Sequence, residues 1–305
     1  MANLRVGIVD IETSHPSAWI PILQEMGCEV HGIYDSGRRF SRQEVEAFAR
    51  RHQVEQVYGH LGDLAEAVDV GVILSCSWDE HLPLARPFVE RDKPVLVDKP
   101  IVGSVRDART LLAWEKAGRV ISGGSSLRFS SKLRGFTERI AAAGEKIFSA
   151  HVGCSGHPFY YGTHLTSLLV GLLGPEIVSV RHLSSDPWRA ELRWQSGQTA
   201  VLEVYPRGEV PFFLTAASDV GVHHLAITDV EQLYRDYLGV LIPHLGEGKA
   251  PLPLKELLRA DLSLIAALES QMQAGGWVSL DRLTAESPAW SGRAFAREYF
   301  SSQHK

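Results

Sequence analysis

The sequence predicts an α/β protein in which a doubly wound parallel sheet is followed by a second α+β domain with an open, mostly antiparallel sheet. Over residues 1–124, short apolar strands alternate with amphipathic helices. Over residues 125–284, strand-like runs follow one another with turn residues between them. A chain of 305 residues is long enough to bury two cores. Residues 285–305 are predicted to form a tail that docks on the body.

Composition excludes several classes of function. The chain is 45% hydrophobic and 22% charged, with a net charge of −5 and no long basic run, which argues against nucleic-acid binding. Its three cysteines are widely spaced, as expected of reduced thiols. Neither a signal sequence nor an apolar stretch of about 18 residues is present, so a cytoplasmic protein without membrane contact is expected. The expected partners are a small molecule and further copies of the chain, as a homodimer or homotetramer.

The first domain is predicted to alternate strands and helices from its first residues. Because such an alternation needs right-handed crossovers, the six strands must form a parallel sheet. The predicted strands cover residues 4–9, 29–34, 56–58, 70–74, 93–97 and 119–122, and the predicted helices cover 16–26, 43–52, 63–67, 82–90 and 105–116.

The turn after the first strand departs from the glycine fingerprint of dinucleotide-binding sheets. The fingerprint G-x-G-x-x-G lets the backbone approach a pyrophosphate, yet its three glycine positions hold Asp10, Glu12 and His15. The carboxylates of Asp10 and Glu12 would occupy the position in which the pyrophosphate dianion normally binds. We therefore expect a cofactor bound weakly or in an altered position, a different ligand, or none.

Asp35 preserves the other half of that fingerprint. An acid at the end of the second strand is the usual acceptor for ribose hydroxyls. Arg38 follows closely and offers charge to a 2′-phosphate, but Asp35 would repel that phosphate, so NAD is favoured over NADP. Alternatively, Asp35 only caps the turn before the next helix.

The second domain is predicted to combine helices with an open sheet, which would cover a cleft or pair with a second subunit. Its helices are expected at residues 133–143, 164–173 and 254–273, and its strands at 148–153, 177–183, 190–195, 200–205, 212–217 and 222–227. The tail is too aromatic to remain free in solvent. Its aromatic residues are Trp290, Phe295, Tyr299 and Phe300.

Four segments resemble motifs of the Gfo/Idh/MocA oxidoreductases, the group of glucose–fructose oxidoreductase and inositol dehydrogenase. The resemblance runs over residues 4–283, and the four segments occur in the order of the family. Asp98-Lys99-Pro100 is similar to its E-K-P signature, with Asp98 in place of Glu. The other three are the loop Ser75–His81, the crossing segment Gly123–Phe129 and the tripeptide Gly162-Thr163-His164.

The resemblance implies an NAD(P)-dependent enzyme that transfers hydride to or from a secondary alcohol of a sugar, polyol or sugar derivative. Lys99 lies just past the carboxyl end of a central strand, where open α/β sheets bind ligands. Lys99 and His164 are expected to share proton transfer. Tyr160 stands where the family has an Asp, and a phenol with a pKa of about 10 is a poorer proton carrier than a carboxylate.

The remaining site predictions surround these catalytic residues. The predicted cofactor-binding residues are Asp10, Ile11, Glu12, Thr13, Asp35, Arg38, Ser75, Trp78, His81, Asp98 and Lys99. The predicted substrate-binding residues are Lys99, Arg128, His157, Tyr161 and His164.

Two other functions are open at this stage. The missing glycines and Tyr160 suit a non-redox descendant that acts as a ligand-binding, sensor or accessory protein. A metal-dependent lyase or hydrolase would use Asp10, Glu12 and His15 as ligands. Their spacing matches no established metal motif, so no metal is predicted. Local hydrogen bonds from Asp10, Thr13 and Ser14 to the turn and helix are the favoured interpretation.

Overall fold

The first part of the chain forms a parallel sheet of six strands in the order β3-β2-β1-β4-β5-β6. The protein is described from a computed structural model, and the described residues are 4–302. The strands are β1 (Arg5–Val9), β2 (Glu29–Tyr34), β3 (Gln56–Tyr58), β4 (Val70–Ile73), β5 (Val95–Val97) and β6 (Ile121–Gly123). The helices between them are α1 (His15–Glu25), α2 (Arg42–Arg51), α3 (Leu61–Ala67), α4 (His81–Val89) and α5 (Val105–Lys116). This topology confirms the predicted doubly wound sheet.

Local sequence explains why these elements begin where they do. The central strand β4 is buried at all four positions because helices cover both faces of the sheet. Ser41 starts α2 with a capping box, in which its hydroxyl accepts from the Glu44 N–H and the Glu44 carboxylate accepts from the Ser41 N–H. Ser104 caps α5 through the Asp107 N–H in a similar way.

The second sheet has seven strands in the order β12-β11-β7-β10-β9-β8-β13. They are β7 (Ile147–Ser155), β8 (Ile177–Ser185), β9 (Trp188–Trp194), β10 (Thr199–Tyr205), β11 (Phe212–Ser218), β12 (Val222–Ile227) and β13 (Val278–Ser279). The sheet is mostly antiparallel, as predicted. Its exception is β10, which pairs with β7 in parallel. Helices α6 (Ser131–Ala142) and α7 (Gly162–Leu173) precede and follow β7 in the chain.

Sequence reasoning missed the long helix α8 (Val230–Gly246), although its apolar residues recur at helical spacing. Five of its six buried side chains pack into the core of the first sheet, and Leu233 is buried in the core of the second. The five are Tyr237, Leu238, Leu241, Ile242 and Leu245.

The predicted single helix over residues 254–273 is wrong in one respect, because it is divided at Leu258. The parts are α9 (Leu254–Leu257) and α10 (Arg259–Met272). Leu254 and Leu258 are buried in the core of the first sheet, whereas Leu264 is buried in the core of the second. The division lets one stretch of chain serve two cores.

The last described element is α11 (Gly292–Ser302), in a segment that the sequence predicted only as a docked tail. Its aromatic side chains pack on the core of the second sheet. Among residues 4–302, no helix combines the length and the apolar character that a membrane crossing requires.

Candidate functional site

The candidate site lies at the carboxyl edge of the parallel sheet. The strand order reverses between β1 and β4, and a doubly wound sheet binds ligands in the crevice at that point. Three segments meet there: the turn that follows β1, the loop that follows β4 and the Asp98-Lys99 pair that follows β5.

Lys99 is buried at this edge, with 4% of its surface exposed. Its Nζ lies 3.0 Å from the centroid of the Tyr160 ring, over the face of the aromatic system. Burial lowers the pKa of Lys99 to about 7, although the charge of Asp98 opposes that shift. The amine and the ammonium form are therefore both populated near neutral pH.

His164 is the third position of α7 and is buried near Lys99. Its Nδ1 lies 2.7 Å from the hydroxyl of Ser125, a partner that sequence reasoning did not identify. Burial, followed by the charges of Lys99 and His15, lowers the pKa of His164 well below its usual value. The imidazole is consequently neutral over the physiological range.

Tyr160 offers Lys99 its ring rather than its hydroxyl. The opposite side of the site is closed by Phe295, whose ring stacks on Tyr160 with 4.4 Å between centroids. Burial raises the pKa of Tyr160 well above its usual value. Tyr160 thus remains a neutral phenol whose ring contacts both Lys99 and Phe295.

Asp98 faces the turn that follows β1. One of its oxygens, Oδ2, lies 2.6 Å from Nδ1 of His15, and the pair is buried. Burial opposes the charge of Asp98, but His15 and then Lys99 hold its pKa below the usual range. The imidazole of His15 in turn stacks on Trp19 at 4.7 Å.

The turn itself is built around Arg38. The guanidinium bonds the carboxylate of Asp10, and its Nε lies 3.1 Å from Oε1 of Glu12. The other Glu12 oxygen accepts from the Cys76 N–H at 2.8 Å. Both carboxylates are buried, and burial together with the charge of Glu12 raises the pKa of Asp10 to about 7. Nη2 of Arg38 also donates a hydrogen bond to Oγ of Ser75 at 2.9 Å.

Both carboxylate oxygens of Asp35 accept hydrogen bonds from backbone N–H groups. Oδ2 accepts from the Ile11 N–H at 3.1 Å, and Oδ1 accepts from the Gly37 N–H at 2.8 Å. These bonds support the alternative interpretation of Asp35 as a turn cap. The expected capping by Asp10 and Ser14 is wrong, because Asp10 accepts from Ser36 and the Ser14 side chain makes no cap to α1.

Trp78 and His81, which were predicted to bind a cofactor from the loop that follows β4, contact backbone carbonyl groups of the protein itself. Both ring nitrogens of His81 contact carbonyl oxygens, with Nε2 3.0 Å from Ser75 and Nδ1 3.2 Å from Ile101. The Trp78 Nε1–H donates to the carbonyl of Trp290 at 2.7 Å. Near the same edge, Thr13 accepts from the His15 N–H at 3.3 Å.

The predicted substrate residues divide into two groups. The Tyr161 ring centroid lies 5.6 Å from Lys99 Nζ, and the His157 imidazole packs on Phe295. Burial lowers the pKa of His157. Arg128, in contrast, faces the α9 helix, where its guanidinium lies 3.7 Å from the Glu256 carboxylate.

Asp261 connects the segments that carry Lys99 and His164 and was not identified from the sequence. Its Oδ1 accepts from the Thr163 hydroxyl at 2.6 Å, and its Oδ2 accepts from the Val102 N–H at 3.1 Å. Val102 lies three residues after Lys99, and Thr163 directly precedes His164. Burial raises the pKa of Asp261 to about 7.

Helix α11 lies across the outer side of this edge. The carboxylate of Asp79 accepts from the N–H groups of Gly292 and Arg293, both at 3.0 Å, and so caps the helix. Further along, Phe300 lies under the guanidinium of Arg39 at 4.8 Å. The helix therefore contacts the segments that follow β2 and β4 as well as Tyr160.

The metal alternative is not supported by this arrangement. His15 faces Asp98, whereas Asp10 and Glu12 hold Arg38, so the three side chains do not converge on one point. The described residues contain no group of three or more His, Cys, Asp or Glu side chains placed to hold a metal ion.

Comparisons with known proteins agree on the fold. Residues 4–124 match the Gfo/Idh/MocA oxidoreductase model, described as an oxidoreductase family with an NAD-binding Rossmann fold. A comparison with curated proteins gave no significant match.

Solved dehydrogenases superpose on nearly the whole chain. The Lactobacillus casei myo-inositol dehydrogenase, solved with NAD(H) and myo-inositol, has a TM-score of 0.79 at 17% identity and covers 94% of this chain and 99% of its own. The scyllo-inositol dehydrogenase of the same organism has a TM-score of 0.79 at 12% identity, covering 92% and 99%. An Agrobacterium radiobacter oxidoreductase, solved with NAD+, L-tartaric acid and magnesium, gives 0.75 at 14% identity, covering 91% and 98%.

The residues after β1 do not fit a dinucleotide in the position that this fold provides. A pyrophosphate there needs bare Cα atoms and free backbone donors at the start of the following helix. Here the Glu12 carboxylate fills the turn and binds the loop that follows β4, and Pro16 offers no N–H in the first turn of α1. The ribose acceptor, Asp35, is already bonded to the backbone.

Proposed function

Because the chain belongs to the Gfo/Idh/MocA oxidoreductase family through its first domain, we propose that Lys99 and His164 act on a hydroxyl group of a sugar, polyol or sugar derivative. The single observation that carries this proposal is the burial of Lys99 with a pKa of about 7 at the ligand-binding edge of the sheet. Relatives with the same fold support the substrate class, since one was solved with myo-inositol.

Lys99 would take the hydroxyl proton as a neutral amine or return it as an ammonium group. A catalytic group of pKa near the working pH serves both directions of proton transfer. His164, held by Ser125, would orient the same oxygen as a neutral imidazole. NAD(P), where a family member binds it, supplies the hydride chemistry. Oxidation of the hydroxyl carbon also releases a hydride, which NAD(P) would accept when bound, while Lys99 and His164 would hold and move only the hydroxyl proton.

A second candidate function is favoured by the cluster of Arg38, Asp10 and Glu12. In this candidate the chain is the non-redox descendant, which binds a hydroxyl-rich ligand without hydride transfer. Both candidate functions place the ligand beside Lys99 at the edge of the sheet. They differ in whether the protein converts that ligand chemically. Loss of Lys99 would abolish a reaction but leave most of the binding in a sensor or accessory protein.

The test is a panel of sugars, polyols and their acids, screened by thermal shift and then for turnover with and without NAD(P). For any ligand that responds, Lys99→Met should reduce turnover at least a hundredfold, since general acid–base groups contribute about 10²–10⁴-fold. Lys116→Met, at an exposed position on α5, is the matched control. Turnover that survives Lys99→Met would contradict the proposal, and unchanged binding without any turnover would favour the second candidate.

The assembly and the location are also proposals. We expect a homodimer or homotetramer in the cytoplasm, with the open sheet of the second domain as the pairing surface. Light scattering coupled to size-exclusion chromatography measures the mass. A monomer at micromolar concentration would contradict the expected assembly.

A further inference from the structure

We propose that this chain closes its dinucleotide crevice with its own side chains and works without NAD(P) in the position that the family uses. The inference rests on the proposed function only where it concerns the reaction at Lys99. It is carried by three groups of contacts: one in the turn, one across the crevice and one over its mouth.

The turn is closed by Glu12. Its side chain is fully buried, and its two oxygens bond elements on either side of β1. Oε1 faces Arg38, from the segment after β2, and Oε2 accepts from Cys76, from the segment after β4. A pyrophosphate in this turn would have to displace Glu12 and leave the Cys76 N–H without its acceptor.

The crevice is crossed by Arg38. Its guanidinium reaches Asp10 and Glu12 in the turn and lies 3.6 Å from Glu80 beyond β4. Three carboxylates thus surround one guanidinium, so the cluster offers a dinucleotide no surplus positive charge. Moving Arg38 to meet a phosphate would leave two buried carboxylates unpaired, which is costly in a protein interior.

The mouth of the crevice is covered by α11. Phe295 stacks on Tyr160 and, at 5.3 Å, on Trp78, so its ring contacts both the second domain and the loop that follows β4. Asp79 and Glu80 fix the start of the helix by bonding Gly292 and Arg293. Helix α11 therefore covers the crevice beside Tyr160 and Trp78.

Isothermal titration calorimetry of the full chain with NAD+, NADH, NADP+ and NADPH tests the inference. We expect no saturable binding of any of the four at millimolar concentration. The Lactobacillus casei myo-inositol dehydrogenase, solved with NAD(H), is the positive control under the same conditions. Saturable binding by this chain at micromolar concentration would overturn the inference.

One further variant locates any millimolar binding that does occur. Glu12→Gln removes the buried negative charge from the closed turn, and Glu46→Gln changes an exposed ion pair on α2 as the control. The inference predicts that Glu12→Gln strengthens such binding, because the side chain no longer repels a phosphate in the turn. If the affinity falls more than tenfold in Glu12→Gln while Glu46→Gln is unaffected, Glu12 takes part in cofactor binding and the inference is wrong.

The outcome separates this inference from the proposed function. Lys99-dependent turnover of a hydroxyl compound without added NAD(P), by a reaction that leaves its oxidation state unchanged, supports both. Tight NAD(P) binding with Lys99-dependent turnover overturns only the closed crevice. Absence of binding together with Lys99-independent turnover supports the closed crevice and overturns the role of Lys99.

Discussion

Nδ1 of His15 lies 2.6 Å from Oδ2 of Asp98, in a buried contact between the turn that follows β1 and the residue that precedes Lys99. The pair links the altered glycine position directly to the residue next to Lys99. Asp98 keeps its negative charge because its pKa is held below the usual range by His15 and Lys99 against the effect of burial. That charge favours the protonated form of Lys99 and limits how far burial lowers its pKa.

Asp98→Asn should therefore lower the pKa of Lys99 further below 7. The nearest opposite charge is removed, while the burial of the amine is unchanged. The shift can be measured by NMR titration of ε-¹³C-labelled lysine, with Lys99→Met to assign the signal. Glu46→Gln is the control, because its carboxylate is exposed on α2. A Lys99 pKa that stays constant or rises in Asp98→Asn would contradict the assigned coupling.

The buried amine also predicts how stability varies with alkaline pH. In the folded protein Lys99 loses its proton near pH 7, while in the unfolded chain it holds the proton up to about 10.5. Between these values the unfolded state binds more protons, so stability attributable to Lys99 rises with pH, on the order of 1 kcal/mol per unit. Urea unfolding at pH 7, 8 and 9 should show a smaller rise in Lys99→Met. An identical slope in both proteins would refute the prediction.

Asp261 predicts the opposite slope on the acid side. Its folded pKa of about 7 exceeds the ordinary pKa of an aspartate, 3.8, so the folded state binds more protons between these values. The free energy of unfolding attributable to Asp261 should fall as pH rises from 4 to 7. Asp10, with a pKa also about 7, contributes in the same direction, so the informative quantity is the difference between wild type and Asp261→Asn.

That difference should shift in favour of Asp261→Asn as pH rises across this window, because an amide does not ionise. Urea unfolding at several pH values gives the measurement. Thr163→Val serves as the comparison, since it removes the hydroxyl bonded to Asp261 but keeps the carboxylate. A pH-independent difference between wild type and Asp261→Asn would show that Asp261 is already ionised in the folded protein.

Phe295→Ala should loosen α11 and expose Lys99. The ring stacks on Tyr160 and Trp78, and removing a buried Phe costs about 3–5 kcal/mol. Hydrogen exchange should accelerate over residues 292–302, and acetylation of Lys99, followed by mass spectrometry, should become faster. Val220→Ala, at a site where the side chain is 73% exposed, is the control. Unchanged protection of residues 292–302 would contradict the packing described for this helix.

Gly103→Ala tests the same contact from the opposite side. A Cβ at Gly103 would overlap Nε1 of Trp78 and the carbonyl oxygen of Trp290, which are hydrogen-bonded to each other. The expected loss of stability is about 1–3 kcal/mol, as for other overpacked sites. Gly59→Ala adds a methyl group in open space and should change the midpoint of urea unfolding little. A Gly103→Ala protein as stable as wild type would argue against close contact here.

The sequence predicted the parallel sheet well because its strands are continuous apolar runs with helices between them. Helix α8 was not predicted from the sequence, although its apolar residues recur at helical spacing. The parallel pairing of β10 with β7 had no local signal, because register in a sheet of the second domain depends on distant partners.

The candidate site was predicted in part. Lys99 and His164 could be identified because a strand end and a helix start mark them in the sequence. Their supports, Ser125 and Asp261, could not, because each acts through a partner 39 or 98 positions away. The contact of Arg38 with Glu12 was equally invisible, since charges in a sequence do not show which of them fold together.

Helix α8 affects how the protein unfolds. It follows the second sheet in the chain, yet Leu238, Leu241 and Ile242 complete the core of the first. A fragment ending at residue 124 would leave that core open to water and is expected to aggregate or remain unfolded. The intact chain should accordingly melt in one cooperative step, because neither half possesses a finished interior of its own.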